Sequence, residues 1–320
     1  MTKVLILGSK GNLGQQLVKV FSSDDEVIAW DRGEIDITDY ELIIKKISDV
    51  KPKLVINAAA YNSVDKCETS DQEYDLAKKI NIDGPKFLAE ACLKISATLI
   101  HYSTNYVFAG EKKLGYKETD EPKPINRYGK SKFHGEKRIL ELSGRGLKWY
   151  LIRTSKLFGP GGTSEMAKPS FFDIMLEQSR NSAGISVVNA DASAYAKTLA
   201  YKKAVAEKKA APNQGPALKV VDGEVSCFTY TPDLAGATLD LVQTNRGFGI
   251  YHLTNSGACT WYQGAVELFK LAKIKVNVVP VSGDQLARPA KRPKYAVLLN
   301  TKLPPLRDYR EALREYLGKM

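Results

Sequence analysis

KVLILGSKGNLG (3–14) is the stretch that decides the fold. An apolar run ends at Gly8, Gly11 and Gly14 follow at three-residue spacing, and a helix-like segment extends from Asn12 to Phe21. A strand that opens into a helix through a glycine turn is the first unit of a dinucleotide-binding sheet. Glycines let the backbone approach a pyrophosphate, and the helix N-terminus supplies N–H donors and positive potential. Gly8, Lys10, Gly11, Asn12, Leu13 and Gly14 are therefore candidate cofactor contacts. Taken alone, the same pattern also fits a tight turn with no ligand.

Further strands follow at EVIAWD (26–31), KLVINAAA (53–60), TLIHYST (98–104) and KWYLIRTS (148–155), with helices expected over 72–95 and 126–143. Continuous apolar strands alternating with helices predict an α/β fold: a doubly wound parallel sheet, or Rossmann fold. After Ser155 the rhythm changes to a Gly/Pro/Ser-rich loop, LFGPGGTSEMAKPS. Residues 1–155 are expected to form the dinucleotide domain, joined by parts of 218–258, and 156–320 mainly a smaller C-terminal substrate-binding domain. An Ala/Lys-rich stretch at about 181–216 reads as an insertion with good helix propensity. TPDLAGATLDLV (231–242), 260–272 and LRDYREALREYL (306–317) are expected as helices, and GIYHLTNS (249–256) and KVNVVPVS (275–282) as strands.

The second strand ends in Asp31-Arg32. An acid here accepts bonds from the adenosine ribose and favours NADH. An adjacent Arg, assisted by Lys10, holds a 2′-phosphate and favours NADPH. Both cofactors stay open.

INRYGKSKFHGEK (125–137) sets Tyr128 and Lys132 four residues apart, on one face of a helix. A free phenol is a poor acid–base group near neutrality, and a nearby ammonium is expected to draw its pKa down. Thr104 ends the fourth strand, on the carboxyl edge where ligands of such sheets bind. The expected catalytic set is Tyr128 giving a proton to a carbonyl oxygen, Lys132 tuning it and holding cofactor ribose, and Thr104 orienting the substrate.

The net charge of +11 comes from Lys and Arg interleaved with acids, which reads as a solvated surface and predicts no nucleic-acid partner. Four cysteines without C-x-x-C spacing and three dispersed histidines predict neither disulfides nor a metal site. With no membrane-length apolar run, the chain reads as cytoplasmic, without a membrane partner, and as a monomer or homodimer.

GSKGNLG, VINAAAYNSVDKCE, HYSTNYVFAG, ETDEPKPINRYGKSKFHGEK, LIRTSKLFG and RPAKRPKYAVLLNTKL together resemble the extended short-chain dehydrogenase/reductase superfamily, and within it the dTDP-4-dehydrorhamnose reductase family. The resemblance implies an NADPH- or NADH-dependent oxidoreductase acting on a nucleotide-sugar, most specifically dTDP-linked. It implies catalytic roles for Thr104, Tyr128 and Lys132. Asp31, Asp36, Ile37, Ala58, Ala59 and Ala60 match cofactor contacts. Tyr61, Val64, Asp65 and Glu68 line the site, and Arg288, Arg292 and Pro293 close the nucleotide-sugar pocket. Asn105 stands where the family has Asp, Lys156 where it often has a sugar-stacking Trp, and Phe228 where it has Pro. Asn105-Tyr106 also replaces the Asp-Glu pair of dehydratase relatives, which argues against dehydration. Asn105 and Lys156 remain candidate substrate contacts. The alternatives are a non-catalytic NADP-binding subunit resembling that of methionine adenosyltransferase, and another nucleotide-sugar epimerase or reductase.

Overall fold

The computed structural model describes residues 1–182, 217–286 and 288–320. The insertion expected at about 181–216 lies outside the described residues, apart from the end of one helix. The strands are β1 (Lys3–Leu7), β2 (Glu26–Trp30), β3 (Leu54–Asn57), β4 (Thr98–Thr104), β5 (Lys148–Thr154), β6 (Leu157–Phe158), β7 (Leu218–Val221), β8 (Thr229–Tyr230), β9 (Gly249–His252), β10 (Asn255–Ser256), β11 (Val278–Val281) and β12 (Leu306–Asp308). Six of them form one parallel sheet in the order β2-β1-β3-β4-β5-β9. The order reverses between β1 and β3, so ligand binding is expected at the carboxyl ends of these strands.

Both faces of the sheet are covered, which is why its strands read as unbroken apolar runs. On one face α1 (Asn12–Phe21) and the helix Thr231–Gln243 bury Leu13, Leu17, Leu234 and Leu241 against Ile6, Ile56 and Ile152. On the other, α2 (Tyr40–Val50), α5 (Gly84–Lys94) and α6 (Arg127–Ser143) cover Leu5, Val55 and Leu99. The remaining chain packs a separate aromatic core from Phe158, Phe172, Phe228, Tyr230 and Tyr309.

Several elements differ from the sequence reading. The single helix expected at 72–95 is α4 (Asp71–Lys78), a π turn at Lys79–Asp83, and α5. Asn81 on that turn is buried, accepting from Tyr61 N (3.0 Å) and donating to Tyr61 O and Ser131 Oγ (3.0 Å each). These bonds reward a local widening of the helix that no periodicity announces. Residues 249–256 split into β9 and β10, because β10 leaves the large sheet to pair with β12. The closing helix begins at Tyr309 rather than Leu306, with Asp308 accepting from Arg310 N as its cap. The 275–282 strand contracts to β11. Three helices, α2, the short α3 (Val64–Thr69) and Phe171–Ser182, were not anticipated.

Candidate active site

The glycine turn is built by close approach. Gly8 has φ of +72°, and a side chain at Gly14 would set Cβ 2.0 Å from Gly8 O. No residue larger than glycine fits that contact. The N-terminus of α1 carries no side-chain cap and no acid in its first turn, so its N–H groups are left for an anion. Lys10 O accepts from Thr163 N (2.8 Å) and Ser164 N (3.0 Å), which folds the Gly/Pro loop over the cradle. Asn12 is committed to that loop, accepting from Gly162 N (2.9 Å) and donating to Lys168 O (3.0 Å). Leu13 is buried in the core. Those two side chains thus brace the cradle, and only their backbone is available to a cofactor.

At the end of β2, Asp31 Oδ1 accepts from Arg32 N (2.8 Å), whereas Asp31 Oδ2 is buried without a hydrogen-bond partner among the described residues. A buried carboxylate oxygen lacking a donor fits a ribose hydroxyl. Arg32 is exposed beside it, and Lys10 helps hold the Glu34 carboxyl below its ordinary value, after the backbone bond from Asp31. Asp36 Oδ1 accepts from Thr38 N and Oγ1 (2.9 and 2.8 Å), and Ile37 packs against Gly84. Ala58, Ala59 and Ala60 continue β3 past its carboxyl end, with Ala59 N donating to Asn57 Oδ1 (3.1 Å).

Thr104, Tyr128 and Lys132 converge next to this edge. Asn126 caps α6 by accepting from Gly129 N (2.7 Å), which fixes the helix start at Arg127, one residue before Tyr128. Thr104 Oγ1 accepts from Tyr106 N (3.2 Å), and the Tyr106 and Tyr128 rings meet edge to face at 5.8 Å. Burial pushes the Tyr128 phenol up, and hydrogen bonding to Thr104 offsets part of that rise. The expected acidification by Lys132 is not what the geometry shows. The Lys132 amine, itself lowered to about 8 by burial, donates to Tyr102 O (2.7 Å) and faces His101 Nε2 at 3.3 Å. The phenol is held protonated, the form a proton donor requires.

The pocket side also departs from expectation. Arg292 makes a two-pronged pair with Asp65 (2.5 Å each) and donates to Ala290 O (2.6 Å). Arg288 pairs with Glu224, which also accepts from Trp261 Nε1 (3.1 Å). Both guanidinium forks expected to close the nucleotide-sugar pocket are therefore engaged by carboxylates. Tyr61 donates its hydroxyl to Glu73, and Val64 opens α3 half-buried. Glu68 receives Arg127 N (3.0 Å), and Pro293 packs against Gly110. Asn105 stays against Thr104, accepting from its Oγ1 (3.3 Å) while donating to Ala296 O (3.2 Å). Lys156, at φ +42°, lays its amine 4.0 Å from the Trp261 ring centroid and 4.9 Å from that of Phe228, and burial lowers it to about 8.

Four polar residues that sequence reasoning passed over support the set: Asn57, Asn81, His101 and Glu136. Glu136 is fully buried and takes Arg153 Nε (3.0 Å), Arg153 Nη2 (2.7 Å) and Ser103 Oγ (2.5 Å). A polar residue inside an apolar strand, such as Asn57 in LVIN or His101 in LIHY, was the available signal.

A family model for the RmlD substrate binding domain matches residues 1–211 and 201–320. Spore coat polysaccharide biosynthesis protein SpsK of Bacillus subtilis is 32% identical, over 99% of this chain and 97% of its own. A dTDP-4-dehydrorhamnose reductase of Clostridium acetobutylicum is 35% identical with a TM-score of 0.81, covering 99% of this chain and 98% of that one. That of Bacillus anthracis, solved in complex with NADP, is 28% identical with a TM-score of 0.82, covering 100% and 99%. A glycine cradle, an acid at the end of β2 and a Thr/Tyr/Lys set thus lie at the carboxyl edge of a sheet whose fold these full-length matches share, and the chain belongs to the RmlD substrate binding domain family.

Proposed function

We propose that the chain is an NAD(P)H-dependent reductase of a nucleotide-linked 4-keto-6-deoxy sugar, converting dTDP-4-dehydrorhamnose to dTDP-L-rhamnose. The observation that carries this reading is the half-buried Tyr128 phenol, pushed up by its surroundings and hydrogen-bonded to Thr104, at the sheet's carboxyl edge. When bound, the reduced nicotinamide supplies a hydride to the carbonyl carbon. Tyr128 supplies the proton to the carbonyl oxygen, so ketone, hydride and proton balance to an alcohol. Thr104 Oγ1 orients the carbonyl. Lys132, one turn along α6 from Tyr128, is assigned two roles: countering the negative charge left on Tyr128 once its proton has gone, and donating to a ribose hydroxyl.

The cradle of Gly8, Gly11 and Gly14 with the α1 N-terminus takes the pyrophosphate, and Asp31 takes the adenosine ribose. Arg32 and Lys10 supply the cations a 2′-phosphate needs, so NADPH and NADH both fit. Residues 1–155 with β9 act as the cofactor domain, and the aromatic core after Ser155 carries the sugar side. Lys156, Arg288 and Arg292 line that side. The arginines reach a diphosphate only by exchanging Glu224 and Asp65 for it, which makes substrate binding a swap of ionic partners.

Consumption of NADPH on mixing with dTDP-4-keto-6-deoxy-L-mannose tests the reading. Turnover with that sugar supports it. Tight NADP binding without turnover on any keto-sugar would instead support a non-catalytic cofactor-binding role.

A further inference from the structure

We propose that His101, held in a single tautomer by Asn57, donates a hydrogen bond from Nε2 to Lys132 and thereby sets the protonation state of that lysine. The inference rests on the reading of Lys132 as part of the catalytic set, and it adds His101 as a positioning residue.

The argument follows a chain of donors and acceptors. Ala59 N donates to Asn57 Oδ1 (3.1 Å), and a backbone N–H cannot act as an acceptor, so this bond fixes the Asn57 amide. Asn57 and His101 are register partners on β3 and β4. The fixed amide therefore directs its N–H2 at His101 Nδ1, 3.1 Å away. Nδ1 accepts, so in a neutral ring the proton sits on Nε2. The ring is neutral because it is buried and faces Lys132, both of which hold its pKa well below the ordinary value. Its Nε2–H then points at Lys132 Nζ across 3.3 Å.

An ammonium has three donors and no acceptor, so it opposes this N–H. A neutral amine turns its lone pair to His101, gives one N–H to Tyr102 O (2.7 Å) and keeps one for the cleft. The remaining groups around Lys132 are few. Tyr128 and Glu136 share α6, and Arg153 on β5 holds the Glu136 carboxylate in a buried pair. Asn81 and Ser131 are uncharged, and Glu136 is the charge that favours the ammonium. Burial acts in the same direction as His101, lowering the Lys132 value to about 8. Reduction needs a cation next to the Tyr128 phenolate, so loss of the Lys132 proton places an alkaline limb on turnover near that pH. A buried histidine thus sets where the limb falls.

Two measurements on the full chain test this. Nitrogen-15 NMR of the histidine rings, with and without NADP, reads the tautomer directly and does not depend on turnover. His101 in the Nε2–H form at neutral pH is the expected result; the Nδ1–H form overturns the proposal even if the enzyme is active. Asn57→Asp converts the amide donor into an acceptor, draws the proton to Nδ1 and leaves Nε2 free to accept from the ammonium. The alkaline limb of kcat/KM should then move up by about one pH unit or more. An active Asn57→Asp enzyme whose limb stays in place overturns the proposal. If that variant fails to fold, the wild-type tautomer still decides. Absence of any turnover, with the tautomer as expected, would count against the reductase reading alone.

Discussion

At the scale of single residues, the site rests on buried charges that tolerate little change. Glu136 and Arg153 are almost wholly out of water, and their two-pronged pair joins α6 to β5 beneath Lys132. Removing one partner strands the other as an unpaired buried charge. Glu136→Gln should therefore cost about 3–5 kcal/mol of stability, read as a lower urea midpoint. Glu136→Gln combined with Arg153→Met should recover much of that loss, because the stranded charge is gone. A double variant no more stable than the single one would show that the pair is not the cause. The same scale marks what could be read in advance. Tyr128, Lys132 and Thr104 could be singled out as candidates because chemistry restricts which residue types can stand at those spacings. The commitment of Arg288 and Arg292 to Glu224 and Asp65 was not, since those partners come from distant parts of the chain.

At the scale of elements, α6 is placed by contact with the π turn. A side chain at Gly135 would set Cβ 2.0 Å from Asn81 O, so helix and turn meet at backbone distance. Gly135→Ala should push α6 and its Tyr128 away from the sheet edge, costing about 1–3 kcal/mol and lowering kcat more than the affinity for NADPH. Gly144→Ala, where an added Cβ meets nothing within 4 Å, serves as the control and should change little. Equal effects of the two substitutions on melting temperature would contradict this placement. Helices and strands with strong periodicity, such as α1 and β4, appeared at their expected positions. The π turn and the short β12 did not, because long-range bonds through Asn81 and pairing with β10 decide them rather than local pattern.

At the scale of the whole molecule, β9 ties the distant chain to the first half by pairing with β5, and His252 at its end is buried. Burial and Arg153 lower His252 to about 4, and His101 is held well below its ordinary value. Both rings bind a proton in the unfolded chain near pH 6.5 and do not bind it in the folded one. Their contribution to stability is thus complete above that pH and lost as the pH falls below it, for His252 down to about 4, by up to about 1.4 kcal/mol per pH unit for each ring. Thermal melts across that range should show a falling midpoint, with a shallower slope in His252→Asn; a flat profile would contradict it. Among the described residues no helix is long and apolar enough to cross a membrane. The doubly wound sheet was legible throughout, since both-face burial writes itself into apolar strands, whereas the split of β9 from β10 depends on a second sheet elsewhere in the chain.

The most direct measurement is Tyr128→Phe, which removes one hydroxyl and keeps the ring packed against Tyr106. NADPH binding should persist near the wild-type affinity while turnover of the keto-sugar falls by about two to four orders of magnitude. Wild-type turnover in that variant would contradict the account at its centre, whatever sugar the enzyme is given.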